Sequence, residues 1–142
     1  MKPRTRARSL ALQVLYEVDI ANHAPGEIFK LRLEEAPLSD ELAEFARKII
    51  FGTLPLTQTF DLLIAKYAPE WPLDQIAAID RNILRMALWE FAVSGETPIK
   101  VAINEAVELA KSYGSDSAPR FVNGVLGALA EHQNEIQQAV QK

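Results

Sequence analysis

A cluster of cations at the N-terminus is the most prominent chemical feature of the sequence. The first nine residues hold four basic side chains and no acidic one, whereas the remaining 133 hold 11 basic and 19 acidic side chains. The formal charge of the whole chain is −4, but charges act over a Debye length of about 8 Å, so the local potential decides what binds. Guanidinium groups bind phosphate through paired hydrogen bonds. The segment therefore predicts either a binding site for a polyanion such as RNA or a solvated basic tail; its cations are Lys2, Arg4, Arg6 and Arg8.

Two aromatic side chains lie near basic residues and strengthen the first interpretation. Tyr16 falls on the polar flank of the helix predicted to follow the basic segment, and Arg120 precedes Phe121 at the predicted start of a later helix. Aromatic rings stack on the bases of single-stranded RNA, and the first amide groups of a helix attract phosphate. Burial in the core is the alternative for both rings. We interpret Trp71 and Trp89 as core or partner-contact residues.

Catalytic chemistry has little support in the sequence. His23 lies in a predicted loop and His132 near the C-terminus, and neither has a local partner at metal-ligand or triad spacing. The chain has no cysteine, which excludes thiolate nucleophiles, cysteine-ligated metals and disulfides. Gly124 and Gly127 fall inside a helical pattern, where we expect them to permit close helix packing. We predict no catalytic residue, no metal and no cofactor.

Helices are the elements that must position these residues. Apolar side chains recur at spacings of three and four along most of the chain, and no alternating β-branched run is present. The segment 79–93 is apolar over most of its circumference and belongs in the centre of a bundle. Ser39 and Thr97 are expected to cap helices. The pattern predicts an all-α fold of about seven helices, with 137–142 fraying.

The chain is expected to form a single domain over residues 1–142 with two helical subdomains. A group of prolines after residue 54 marks the seam between a three-helix part at about 1–53 and a four-helix part at about 54–142. No stretch approaches the roughly 20 apolar residues that span a membrane, and the N-terminus lacks the apolar region of a secretory signal. We therefore expect a cytoplasmic protein without a membrane partner.

Several segments carry a resemblance to a known family. They are RSLALQVLY at 8–16, IDRNILRMALWE at 79–90, PIKVAINEAVELAK at 98–111 and RFVNGVL at 120–126. With these segments the chain closely resembles the NusB family of bacterial transcription antitermination factors. The chain departs from the family pattern in the sequence SDSAP before Arg120, where Pro119 leaves the register of the turn open.

The resemblance implies a function as well as a fold. It implies two helical subdomains and a pairing with the ribosomal small-subunit protein NusE, and the pair is expected to bind boxA RNA within the RNA polymerase antitermination complex during ribosomal RNA transcription. It also implies that the basic first helix contacts RNA and that Asp80, at the start of the central helix, contacts NusE. The RNA-binding residues implied in this way are Lys2, Arg4, Arg6, Arg8, Tyr16, Arg85, Arg120 and Phe121.

Two other functions stay open at this point. A related domain precedes the catalytic region of certain ribosomal RNA cytosine methyltransferases, so a truncated enzyme is one alternative. A helical adaptor that binds only proteins, through a basic tail that docks on acidic partners, is the other. Salt-dependent binding of boxA RNA would distinguish an antitermination factor from the adaptor.

Overall fold

The computed structural model describes residues 2–68 and 72–141, with the backbone alone at residue 73, so Trp71 lies outside the described residues. Within these residues all regular structure is helical, which confirms the predicted all-α fold. Two short 3-10 segments, Leu54–Leu56 and Leu73–Gln75, and a π-helical segment, Trp89–Ser94, accompany eight α-helices. The helices are α1 (Pro3–Ala21), α2 (Pro25–Glu35), α3 (Asp40–Thr53), α4 (Thr57–Tyr67), α5 (Ala78–Leu88), α6 (Ile99–Tyr113), α7 (Ala118–Ala130) and α8 (Gln133–Val140).

The apolar segment predicted to lie at the centre forms α5 and its π-helical continuation. Helix α5 packs against α1, α3, α4, α6 and α7. Its residues Ile83, Leu84 and Leu88 are fully buried, because an apolar helix must bury every face. One apolar cluster extends from Ala7 in α1 to Ile136 in α8. The division into subdomains near residue 53 stays a prediction.

Local sequence signals explain where several helices begin. The Ser39 hydroxyl accepts a hydrogen bond from the Leu42 amide at 3.3 Å, as expected of the residue that caps α3. Pro119 lies in the first turn of α7, where its missing N–H costs nothing because the first amides have no helical partner. The register before Arg120 is therefore that of an ordinary helix start.

Some glycines lie where a side chain would clash with a neighbour, and others lie in open space. Gly52 lies in the last turn of α3 against the indole of Trp89, and a methyl group there would overlap the ring. By contrast, an added Cβ at Gly124 or Gly127 would meet no atom within 4 Å. The prediction that Gly124 and Gly127 permit close packing is wrong, since both are exposed on α7.

The C-terminal residues expected to fray contribute to α8 instead. Ile136 is completely buried, which ties this short helix to the core. Glu135 accepts hydrogen bonds from Tyr67 and, at 2.5 Å, from Lys66 on α4. The sequence does not predict this helix, because its residues are mostly polar and only Ile136 is buried. Among the described helices, none has both the length and the apolarity needed to cross a membrane.

Candidate nucleic-acid interface

Three of the predicted cations form an exposed group at the start of α1, which we call the basic end: Lys2, Arg4 and Arg6. All three residues are exposed, and none takes part in an ion pair within the described residues. The Arg4 guanidinium lies 4.7 Å from the centre of the Phe45 ring on α3, a cation–π contact that orients it without neutralising its charge. The basic end therefore offers three uncompensated cations to an anionic ligand.

Arg8, one turn further along α1, is buried and paired. Its side chain is 3% exposed, and it donates hydrogen bonds to both carboxylate oxygens of Glu90, from Nε at 2.9 Å and from Nη2 at 2.8 Å. Its remaining nitrogen lies 3.3 Å from Glu105 Oε1. The predicted RNA contact of Arg8 is corrected by this geometry, because the guanidinium is enclosed and its donors point at carboxylates.

The partners of Arg8 extend into a network that joins α1, the π-helical segment and α6. The Thr97 hydroxyl donates to Glu90 at 3.1 Å, and the Thr5 hydroxyl donates to Glu105 at 3.1 Å. Thr97 therefore hydrogen-bonds a buried carboxylate and does not cap α6, which begins at Ile99. Buried charges are tolerated only when they are paired and hydrogen-bonded. The network holds the first turns of α1 in place, and with them the basic end.

Arg85 in α5 is likewise an interior residue. It is 6% exposed, and its guanidinium donates to both oxygens of Asp61 on α4, at 2.8 and 2.7 Å. A third donor lies 3.3 Å from Asp19 on α1. The predicted RNA contact of Arg85 is corrected for the same reason as that of Arg8. The sequence contains a signal for this burial, because a charged residue on a helix that is apolar over most of its circumference is buried and needs a partner of opposite charge.

Asp19 is the meeting point of three side chains from α5. It accepts hydrogen bonds from Arg81 at 2.7 Å and from Asn82 at 3.0 Å, and it lies beside Arg85. Burial by itself would raise the pKa of Asp19, but the hydrogen bonds from Arg81 and Asn82 and the charges of Arg85 and Arg81 outweigh it, so the pKa is lowered. The carboxylate is thus held in its charged form and fastens α1 to α5.

A groove of about 350 Å³ follows α1 from the basic end toward its middle. Arg6, Ser9 and Gln13 line it from α1, and Arg32 lines it from α2. The Tyr113 hydroxyl at the end of α6 contacts the Ser9 hydroxyl and accepts a hydrogen bond from Gln13 Nε2 at 3.0 Å. Sequence reasoning missed both Arg32 and Tyr113, because only the fold brings them beside α1. Arg32 is paired with Glu17 at 3.1 Å, so its charge is compensated.

Tyr16, one turn beyond Gln13 on α1, is partly buried. It has neither the full burial of a core residue nor the exposure of the cations. Its role in RNA binding stays a prediction.

A second site is a cavity of about 370 Å³ between α5 and the start of α7. Arg120 and Phe121, predicted to bind RNA, line it together with Asp80, predicted to contact a protein partner. Asp80 is 7% exposed, and its contact with a protein partner stays a prediction. The two predicted roles meet in one site, which we call the Asp80 cavity; its other lining residues are Gln75, Ile76, Ala77 and Ser117.

The two histidines lie in ordinary surroundings. His23 Nδ1 bonds to Glu17 at 3.0 Å on the surface, and the His132 ring packs against Tyr67 with 4.6 Å between ring centres. In the part of the chain that the structure describes, no group of three or more histidine, aspartate and glutamate side chains is arranged to hold a metal ion.

Comparison with known proteins identifies the family. The sequence profile of the NusB family matches residues 5–131. The transcription antitermination protein NusB of Chloroflexus aggregans is 48% identical over 128 residues, which cover 89% of this chain and 85% of that protein. The protein of the same name from Roseiflexus sp. is 46% identical over 134 residues, covering 93% of this chain and 94% of that protein. These names describe a transcription factor and no enzyme.

Solved structures agree with the sequence relatives. T. maritima NusB matches with a TM-score of 0.85 at 31% identity, covering 96% of this chain and 98% of that chain. A chain from the crystal structure of antitermination factors NusB and NusE in complex with double-stranded RNA matches with a TM-score of 0.84 at 30% identity, covering 93% of this chain and 98% of that chain. On sequence and on fold, the chain belongs to the NusB family.

Proposed function

We propose that this protein is an RNA-binding transcription antitermination factor, which pairs with NusE to bind boxA RNA in ribosomal RNA transcripts. It acts in the cytoplasm as part of the RNA polymerase antitermination complex. The observation that carries the proposal is the exposed basic end of α1 on a chain of the NusB family. A solved relative in complex with NusE and double-stranded RNA supports it.

The RNA-binding surface that we propose begins at the basic end, where Lys2, Arg4 and Arg6 contact phosphates. Because α1 rises about 1.5 Å per residue, Tyr16 lies roughly 18 Å along the helix from Arg4. We propose that a single strand continues from the basic end along α1 past Tyr16 to Arg120 and Phe121. We leave Arg8 and Arg85 out of this surface, since both are buried in ion pairs.

Electrostatics explains why a partner is needed. Three free cations on a chain of net charge −4 give a small electrostatic footprint. A second protein that supplies its own RNA contacts raises the effective concentration of the first set. We expect NusE to bind this chain without RNA, and the pair to hold boxA RNA more tightly than either protein alone.

The test is a binding measurement across a range of salt concentrations. Fluorescence anisotropy with a labelled single-stranded boxA RNA, a scrambled RNA of equal composition and a duplex is carried out with the chain alone and with NusE. The triple variant Lys2→Ala, Arg4→Ala, Arg6→Ala is measured beside the control Lys48→Ala, which removes an exposed cation of α3 that takes part in no ion pair within the described residues. We expect boxA RNA to bind most tightly, with NusE increasing the affinity.

The same measurement decides between the alternatives. Binding of NusE without any RNA binding by the pair would favour the protein-only adaptor. The relatives named above are antitermination proteins, which favours this function over that of a methyltransferase domain. If neither RNA nor NusE binds, the proposal fails.

A further inference from the structure

The ring of Phe45, on α3, lies under two arginine side chains of α1. The distance from the ring centre to Cζ is 4.7 Å for Arg4 and 5.1 Å for Arg8. Arg8 is itself fixed by its hydrogen bonds to the Glu90 carboxylate, and α3 packs against α1. The Phe45 ring is therefore held in place and offers Arg4 a fixed surface.

Arg4 forms no ion pair, although carboxylates lie nearby. A cavity of about 440 Å³ beside the start of α1 is lined by Lys2 and Arg4 and also by Glu96 and Glu105. Within the described residues, Arg4 pairs with neither carboxylate. An arginine side chain that moved freely beside two carboxylates would be attracted to them. Its place over the Phe45 ring keeps its N–H groups available for a phosphate.

The other two cations of the basic end lack this support. In the part of the chain that the structure describes, neither Lys2 nor Arg6 lies over an aromatic ring. Arg6 lines the separate groove between α1 and α2. A long basic side chain loses conformational freedom when it binds a ligand, and a guanidinium that already rests on a ring loses less. Arg4 is thus the cation of the basic end that is best prepared to bind a phosphate.

We propose that Phe45 is a positioning residue of the RNA-binding surface, which holds Arg4 over its ring so that the guanidinium edge binds one phosphate. Arginine is required at this position, because its planar group can stack on the ring and still donate two parallel hydrogen bonds to phosphate, whereas a lysine ammonium is a point charge. This inference rests on the proposed RNA-binding function and identifies the cation of the basic end that makes a fixed phosphate contact.

The first part of the test follows the free chain by NMR. The ring current of Phe45 should shift the Hδ signals of Arg4 upfield, and Phe45→Leu should move them toward those of Arg6. Phe45→Tyr keeps an aromatic ring and should keep the shift. These measurements need no RNA, so they decide whether the contact forms even if the proposed function fails.

The second part measures RNA binding by the chain with NusE, using the labelled single-stranded boxA RNA. Phe45→Leu should weaken binding about two- to fivefold, as expected for the loss of an exposed cation–π contact, and Phe45→Tyr should bind as the unmodified chain does. Phe51→Leu is the matched control on the same helix, because its ring packs edge-on against Phe29 and lies under no cation of the described residues. It should leave RNA affinity unchanged, and circular dichroism verifies that each variant is folded.

A double-mutant cycle separates positioning from a general loss of packing. Arg4→Lys keeps the charge and should weaken RNA binding about as much as Phe45→Leu does. The two changes together should cost little more than either alone, because both remove the same contact. The effect of Arg6→Lys should instead add in full to that of Phe45→Leu.

The possible failures can be told apart. Additive effects of Arg4→Lys and Phe45→Leu, or an Arg4 signal that Phe45→Leu leaves in place, overturn the inference even if the basic end binds RNA. An equal loss of affinity in Phe51→Leu would assign the effect to the packing of α3 and would also overturn it. If the Arg4 signal depends on Phe45 but the chain with NusE binds no RNA, the proposed function fails, and the role of Phe45 in RNA binding fails with it.

Discussion

Arg4 and Arg8 lie one helical turn apart on α1, yet their guanidinium groups meet different surroundings. Both guanidinium groups lie over the Phe45 ring, but Arg4 is exposed, whereas Arg8 is 3% exposed and paired with Glu90 and Glu105. An arginine near the proposed RNA surface is therefore available for phosphate only if the fold brings it no carboxylate. We group Arg8 with Arg85 as the interior arginines and contrast them with the basic end.

The largest expected effect is the loss of stability on replacing an interior arginine. Arg8→Ala leaves Glu90 buried without its ion-pair partner, and breaking such a pair costs about 3–5 kcal/mol. Denaturant unfolding followed by circular dichroism measures this loss. A cost below about 1 kcal/mol would mean that the buried network does not hold the N-terminal turns of α1.

The basic end should show the opposite behaviour. The triple variant Lys2→Ala, Arg4→Ala, Arg6→Ala should change the free energy of unfolding by no more than about 0.5 kcal/mol, as for most surface substitutions. The slope of log affinity for single-stranded RNA against log salt should fall by about 2, taking roughly 0.7 per phosphate contact. An unchanged salt slope would remove the basic end from the RNA surface.

Acid should weaken the contact of Asp19 with the interior arginine Arg85 and its neighbours. Because the pKa of Asp19 is lowered in the folded chain, its contribution is complete above the usual aspartate pKa near 3.9 and declines as the pH falls through the lower folded value. Asp19→Asn should therefore destabilise the chain most near neutral pH, with the difference shrinking in acid. Urea unfolding at a series of pH values measures it; a constant difference would contradict this assignment.

A smaller effect is expected at Gly124, which the sequence pattern wrongly placed at a close helix contact. Gly124→Ala should stabilise the chain by roughly 0.4–1 kcal/mol, because the added methyl meets open space and the unfolded chain loses freedom. Gly52→Ala is the contrasting variant, since its methyl would overlap the Trp89 indole, and overpacking costs about 1–3 kcal/mol. Thermal unfolding of both variants would expose an error if their order were reversed.

Periodicity in the sequence was sufficient to predict the helical class, the central position of α5 and the exposure of the basic end. These features depend on residues close together in the chain. The burial of Arg8 depends on Glu90, which is 82 residues away, and on Glu105 in another helix. The Asp80 cavity likewise joins α5 to the start of α7. No local sequence pattern shows such pairings. The expectation of exposed cations along α1 therefore holds for the basic end and fails for Arg8.

We propose that RNA affinity comes from the basic end and not from the interior arginines. The most direct measurement is the salt dependence of RNA binding for a chain whose buried pair has been neutralised by Arg8→Met with Glu90→Gln, where the glutamine still accepts from Thr97. Circular dichroism first establishes that this variant is folded. We expect its salt slope to equal that of the unmodified chain, whereas the slope of the Lys2, Arg4 and Arg6 triple variant falls by about 2. A folded Arg8→Met, Glu90→Gln variant whose slope falls by roughly 0.7 or more would contradict it.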